Sequence, residues 1–266
     1  MKWLKLFGLA AAGFYILICA VLFFAQRKLL YFPPNIYLTP AGVGVDMEEV
    51  SLSQNGETLT AWYAPPVEPN KKTVMFFHGN GSAVYSNHDI FKDFIGQGYG
   101  VWSVGYPGYP GSSGEPSQQK LVMAASLQYE MLLSRGTKPE NIVYFGTSLG
   151  SGVAAQLSRK HEPALLIMDA PFNSVLDMGR KQVPFVPVGF LMKDKFQSDI
   201  ALKGADIPFV WMHGTADNIV PLSQGQKLFD SYRGPKSAHI IQGGQHTNLW
   251  GLGGRAIVMD ALSQLP

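Results

Sequence analysis

Ser148 sits in Gly146-Thr147-Ser148-Leu149-Gly150, where an apolar run ending near Phe145 gives way to an alanine-rich helical pattern from Leu149. A side chain on a tight strand-to-helix turn needs neighbours without a Cβ two residues away on either side, and Gly-x-Ser-x-Gly supplies them. The turn would hold the hydroxyl above the edge of a sheet. The unpaired N–H groups of the following helix would face any anion that forms beside it.

A serine hydroxyl is a weak nucleophile at neutral pH, so it needs a base, and the base needs a partner that fixes its tautomer. Two polar loops follow apolar strand-like runs: "WMHGTADNIVP", with Asp217, and "IIQGGQHTNLW", with His246. Open α/β sheets place functional groups in such loops. The order Ser148, Asp217, His246 is the one expected for a nucleophile elbow on such a sheet. Asp169, at the end of "LLIMDA", is the competing acid. Among the other histidines, His88 and His161 fall on helical, solvated stretches, and His239 lies inside a strand. His78 and His213 end strands followed by glycine, where packing is the expected role. In "MFFHGNGS", Gly79, Asn80 and Gly81 directly follow an apolar strand. A backbone N–H there, that of Asn80, joins the N–H of Leu149 as a pair of oxyanion donors.

A parallel sheet with helices on both faces would position these groups. Short β-branched or aromatic runs ("EEVSL", "LTAWYA", "TVMFFH", "VWSVGY", "NIVYFG", "ALLIMDA", "FVWMHG", "AHIIQG") alternate with helical stretches at about 87–97, 118–135, 149–159, 221–232 and 250–265. The first two runs read as an antiparallel hairpin through an Asn55-Gly56 turn. Between 170 and 205 the chain is rich in proline and large apolar residues, among them Phe185, Val186, Val188, Phe190, Leu191 and Met192. That stretch reads as a short excursion over the sheet, packed as a lid more than as a ligand surface.

With 266 residues the chain fits one large domain. Its net charge of +2, with scattered basic residues, excludes nucleic acid as a partner class. Cys19 stands alone, so no internal disulfide forms, and the bulky Ile18 before it argues against lipid attachment. Leu6 to Ala25 carry no charge, and twenty helical residues span about 30 Å, the thickness of a bilayer core. A cleaved signal peptide, a core helix and an interfacial helix compete with a transmembrane anchor; the run is apolar all round, which disfavours the interfacial helix. Lys2 and Lys5 before the span balance Arg27 and Lys28 after it, so charge assigns no sidedness. The expected organisation is an anchor over 1–28, a linker over 29–44 and a catalytic domain over 45–266, in a single-pass protein of a bacterial inner membrane.

The strings "QRKLLYFPP", "HGNGS", "GYPGYPGSSGEPS", "GTSLGSGVA", "HGTADNIVP" and "GGQH" extend over nearly the whole chain. In this order the chain resembles the α/β-hydrolase superfamily, and more narrowly its small membrane-anchored, serine aminopeptidase-like branch without a large cap domain. The resemblance implies Ser148, Asp217 and His246 as a triad, Asn80 and Leu149 as backbone donors, and no metal or cofactor. Two features depart from the pattern. Relatives usually carry a charged residue and an arginine before the "GYG" of the glycine loop, and here the histidine is followed by Thr247-Asn248. The expected activity is hydrolysis of carboxylic esters or thioesters, acyl or lipid-like, through an acyl-enzyme. A peptidase and a non-catalytic binding protein are the alternatives.

Overall fold

The computed structural model of the chain describes residues 1–54 and 56–266, so the Asn55 half of the expected hairpin turn lies outside the described residues. The chain begins with helix α1 (Lys2–Leu30) and then runs through an extended segment to strands β1 (Glu48–Gln54) and β2 (Glu57–Ala64). Next come β3 (Thr73–Phe77), α2 (His88–Gly96), β4 (Gly100–Ser103), α3 (Gln118–Ser134), β5 (Ile142–Thr147), α4 (Leu149–Ser158) and β6 (Leu165–Asp169). Three short helices follow, α5 (Val175–Gln182), α6 (Val188–Leu191) and α7 (Ser198–Ala201). The chain closes with β7 (Phe209–Gly214), α8 (Leu222–Ser231), β8 (Lys236–Ile241) and α9 (Arg255–Ser263).

Eight strands among the described residues form one sheet in the order β1-β2-β4-β3-β5-β6-β7-β8. The β1-β2 and β2-β4 pairs are antiparallel and the others parallel, which is the α/β architecture expected. The central strands are largely apolar and buried along almost their whole length because both faces are covered. On β3 and β5, Met75, Phe77, Ile142 and Tyr144 face one core with α3 and α4. Val74, Phe76, Val143 and Phe145 face the other, with α2 and α9. The chain leaves β3 for β4 on one side and later crosses to β5 on the other. The sheet therefore has its switch point between β3 and β5, where a crevice opens at the carboxyl ends of the strands.

Two elements end differently from their sequence pattern. The run expected as strand through Tyr106 stops at Ser103, because the Gln128 side chain takes over both polar groups of the Gly105 backbone, at 2.9 and 2.7 Å. The stretch from Trp250, expected as one helix, kinks at Gly253 (φ 111°) before α9 begins.

The excursion between β6 and β7 is closed at its base by a bridge between Ser174 and Gln197. Its upper part packs on α1: Cys19 and Leu22 meet the cluster of Leu176, Val186 and Val188. The ends of α1 and of the excursion are also joined by Arg27 and Asp194, 3.0 Å apart.

Candidate active site

Local backbone geometry sets Ser148 apart. It has φ 50° and ψ −117°, a conformation that non-glycine residues adopt only when their surroundings impose it, at a cost of order 1–3 kcal/mol. The surroundings do so here. A Cβ on Gly150 would lie 2.0 Å from the carbonyl oxygen of Phe77, and one on Gly146 would lie 2.6 Å from the Cα of Ser151. The two glycines let α4 start against β3 and β5 with no room to spare. The Ser148 N–H donates to the carbonyl of Asp169 at 3.0 Å, which ties the turn to the end of β6. The Ser148 side chain makes no capping bond to its own helix, so its hydroxyl is left for the crevice.

Asp217 and His246, in the loops after β7 and β8, meet at 2.8 Å between Oδ2 and Nδ1. Their loops come together because Gly214 and Gly244 pass at backbone contact: a Cβ on Gly214 would meet the Gly244 carbonyl oxygen at 2.1 Å. The N–H of Ala216 donates to that same carbonyl at 2.9 Å. Asp217 Oδ1 accepts the N–H groups of Ile219 and Val220, both at 2.9 Å. Burial acts to raise the Asp217 carboxyl, but hydrogen bonds from His213, His246, Val220 and Ile219 outweigh it and hold the group well below the usual carboxylate range. An ionised Asp217 fixes the proton of His246 on Nδ1 and leaves Nε2 bare. Asn248, in one of the departures from the family pattern, closes the turn around His246 by accepting the Gln245 N–H at 2.7 Å.

His213, expected only to pack, has a part in this arrangement. Its Nδ1 accepts the indole N–H of Trp211 at 3.2 Å, so its proton sits on Nε2, which donates to the Val220 carbonyl at 2.9 Å and stands 3.4 Å from Asp217 Oδ2. The sequence clue was the His-x₃-Asp spacing after the strand. Asp169 forms no hydrogen bond or ion pair with His246; it is buried and its Oδ1 has no hydrogen-bond partner. Burial pushes its carboxyl up to about 7, against the lowering influence of His246 and His213. His78 packs as expected: it is fully buried between Tyr106 and Tyr109, and burial lowers it to about 4. His161 differs from expectation, lying just after α4 and stacked on Tyr129 rather than solvated.

The loop after β3 lies against the serine, with the Cβ position of Gly79 3.6 Å from the Cβ of Ser148. The Asn80 side chain is held at three points. It donates to the Leu30 carbonyl at the end of α1 at 2.5 Å, and it accepts from the Phe32 N–H at 2.9 Å and from Tyr109 of the glycine loop at 2.8 Å. Ser148, Leu149 and Asn80 line one cavity of about 410 Å³. Its walls are otherwise mostly apolar, from α1 (Leu22, Phe23, Leu30) and from the excursion (Val186, Val188, Leu191). Of the apolar excursion residues singled out in the sequence, Met192 also faces this cavity, while Phe185 and Phe190 point outward, 67% and 89% exposed.

The family model described as alpha/beta hydrolase fold matches residues 72–190. An uncharacterized protein of Mycobacterium tuberculosis is 31% identical over 245 residues, covering 89% of this chain and 85% of its own length. The chain belongs to the α/β-hydrolase family. Among solved structures, this α/β-hydrolase is similar in fold to a Pyrococcus furiosus esterase (TM-score 0.69, 17% identity, 88% of this chain and 97% of the other). A Vibrio vulnificus alpha-beta hydrolase gives a TM-score of 0.69 at 21% identity, over 90% and 91% of the two chains. The hydrolase is also 28% identical over 205 residues to the lysophosphatidylserine lipase of Danio rerio, covering 68% of this chain and 53% of that protein.

Proposed function

We propose that this α/β-hydrolase is a membrane-anchored serine hydrolase that cleaves carboxylic esters or thioesters of acyl or lipid-like substrates through an acyl-enzyme. The observation that carries this reading is that Ser148, held in a strained turn, lines an apolar cavity of about 410 Å³. Ile219 and Val220, whose N–H groups fix Asp217, line the same cavity.

In this reading His246 Nε2 takes the Ser148 proton as Oγ attacks the substrate carbonyl carbon. The N–H groups of Asn80 and Leu149 stabilise the oxyanion. The tetrahedral intermediate collapses as His246 returns the proton to the leaving alkoxide or thiolate. Water, deprotonated by His246, then attacks the acyl-enzyme and releases the free acid. Asp217 holds the imidazole throughout, and His213 positions Asp217.

Residues 1–28 serve as the anchor, 29–44 as the linker and 45–266 as the hydrolase domain, with 170–205 as a small cap. Support for the anchor is that α1 is long and apolar enough to cross a membrane. Support for the serine aminopeptidase-like branch rests on the ordered motifs. A peptidase acting on an N-terminal amine has less support, since Asp194, a carboxylate lining the cavity, is already paired with Arg27.

The test is fluorophosphonate labelling of the detergent-solubilised protein beside Ser148→Ala, followed by an acyl-ester panel. Labelling of the wild type alone, with preference for longer acyl chains, is expected. Folded protein without labelling would transfer the site to a binding role.

A further inference from the structure

We propose that the cap is immersed in the bilayer beside the anchor, and that the cavity takes the acyl chain of a membrane-resident ester laterally from that leaflet, its carbonyl at Ser148 and its chain running alongside α1. The substrate class is a lipid carboxylic ester whose polar part lies at the headgroup level. This deepens the serine-hydrolase reading and rests on it for the chemistry, while the immersion rests on geometry alone.

Depth is the first argument. The Tyr15 hydroxyl of α1 donates to the Phe185 carbonyl of the cap at 2.9 Å. Tyr15 precedes Ala25, the end of the uncharged run, by ten residues. At a rise of 1.5 Å per residue that is about 15 Å along the helix, half of a hydrocarbon core about 30 Å thick. If α1 spans the membrane, the cap residues touching Cys19, Leu22 and Tyr15 lie at acyl-chain depth.

The second argument is how the cap satisfies its backbone. Irregular backbone survives at membrane depth only where its polar groups find partners in the protein. In the cap, Pro184 and Pro187 carry no N–H. The carbonyls of Phe185, Gly189 and Leu191 accept from Tyr15, Lys195 and Gln26 respectively, at 2.9, 2.9 and 3.2 Å. The Lys193 N–H donates to Gln26 at 2.7 Å. Tyr15 and Gln26 are polar residues on an apolar helix, and both are spent on the cap. Pro184, Phe185, Pro187 and Phe190 form an exposed apolar tip, while the exposed polar residues Arg180, Lys181, Gln182 and Lys193 flank it. Lys28 on the last turn of α1 and Lys193 of the cap, over the Phe23 ring, are exposed and suited to phosphate headgroups, while Arg27 and Arg180 pair with Asp194 and Asp177.

The cavity has the matching orientation. From Leu30, level with Asn80 and Ser148, its α1 wall descends to Leu22, eight residues or about 12 Å deeper. A lipid in the leaflet already points its headgroup outward and its chain inward, so it can enter between α1 and the cap without inverting.

The experiment uses the full chain with Cys19→Ser, reconstituted in phosphatidylcholine/phosphatidylglycerol vesicles. Nitroxides are attached at Phe185→Cys, Phe190→Cys and, as an aqueous control, the exposed Val67→Cys. Collision with oxygen relative to a water-soluble nickel chelate should be several-fold higher at the two cap positions than at Val67. Equal ratios at all three would overturn immersion, whatever the activity. Phe185→Asp and Phe190→Asp should lower hydrolysis of a long-chain glycerol ester embedded in vesicles about tenfold or more, from the cost of an acidic group at membrane depth. Hydrolysis of soluble 4-nitrophenyl acetate should be unchanged. Unchanged vesicle hydrolysis would overturn lateral entry. A wild type that hydrolyses neither ester would remove the serine-hydrolase reading, with the oxygen-to-nickel ratios still deciding immersion.

Discussion

Replacing Asp217 with Asn exchanges one carboxylate oxygen for an NH₂ group and leaves the size of the side chain unchanged. Two of the existing bonds dictate which way the amide turns: the Ile219 and Val220 N–H groups, at 2.9 Å, require an acceptor at the Oδ1 position. The NH₂ must therefore face His246 Nδ1, now 2.8 Å away, and His213 Nε2, 3.4 Å away. His213 is fixed as a donor on that nitrogen by Trp211, so it gives the NH₂ no acceptor. His246 Nδ1 must then accept, which moves its proton to Nε2 and removes the base. Such a tautomer error costs about 10⁴ in kcat, with KM little changed. The buried N–H left facing a donor adds a cost of about 1–3 kcal/mol in stability. The assay is kcat on a short-chain ester per folded protein, with folding checked by thermal melting. A loss below tenfold in folded Asp217→Asn would refute the assignment of Asp217, and a large loss in Asp169→Asn would then move the acid to the end of β6.

Gly150→Ala should abolish fluorophosphonate labelling and lower Tm sharply, since the new methyl meets the Phe77 carbonyl oxygen at 2.0 Å. Gly81→Ala, with open space around it, should retain both. Asn80→Ala removes the bonds to Leu30, Phe32 and Tyr109, and should lower kcat toward the ~10²–10³ loss of an oxyanion donor; an unchanged kcat would exclude the loop. Asp169→Asn should stabilise the protein in a pH-dependent way. The native carboxyl titrates near 7 and the unfolded one near about 4. Between these values the folded state keeps a proton that the unfolded state has lost, so the Asp169 contribution to stability falls as pH rises and stays low above 7. The gap in Tm between variant and wild type should thus be small at pH 4, widen to pH 7 and level off; a gap independent of pH would refute the buried, protonated state.

Much of the turn at Ser148 was legible in the sequence because a tight strand-to-helix turn sets its residue types locally. Gly146 is required by a contact with Ser151 in the first turn of α4, local to the motif, and strand-to-helix patterning placed that turn on a sheet edge; the contact of Gly150 with Phe77 of β3 is tertiary, and the sequence shows only the glycine that permits it. The loops after β7 and β8 were legible for the same reason, as polar segments following apolar strands. Chain order alone prefers Asp217 to Asp169, with no sight of which carboxylate reaches His246, since one follows β7 and the other ends β6. Only the approach of Gly214 to Gly244 puts Asp217 against His246, and it leaves Asp169 buried beneath them. The proton on His213 depends on Trp211 and on a carbonyl seven residues ahead, which no periodicity reports. The contribution of α1 is the least local of all. Leu22, Phe23 and Leu30 read as membrane residues, yet they wall the cavity beside Ser148, more than a hundred residues along the chain. Backbone conformation follows from near neighbours, whereas shared cavities depend on which distant apolar surfaces the folded chain buries together, and that is decided by the tertiary structure.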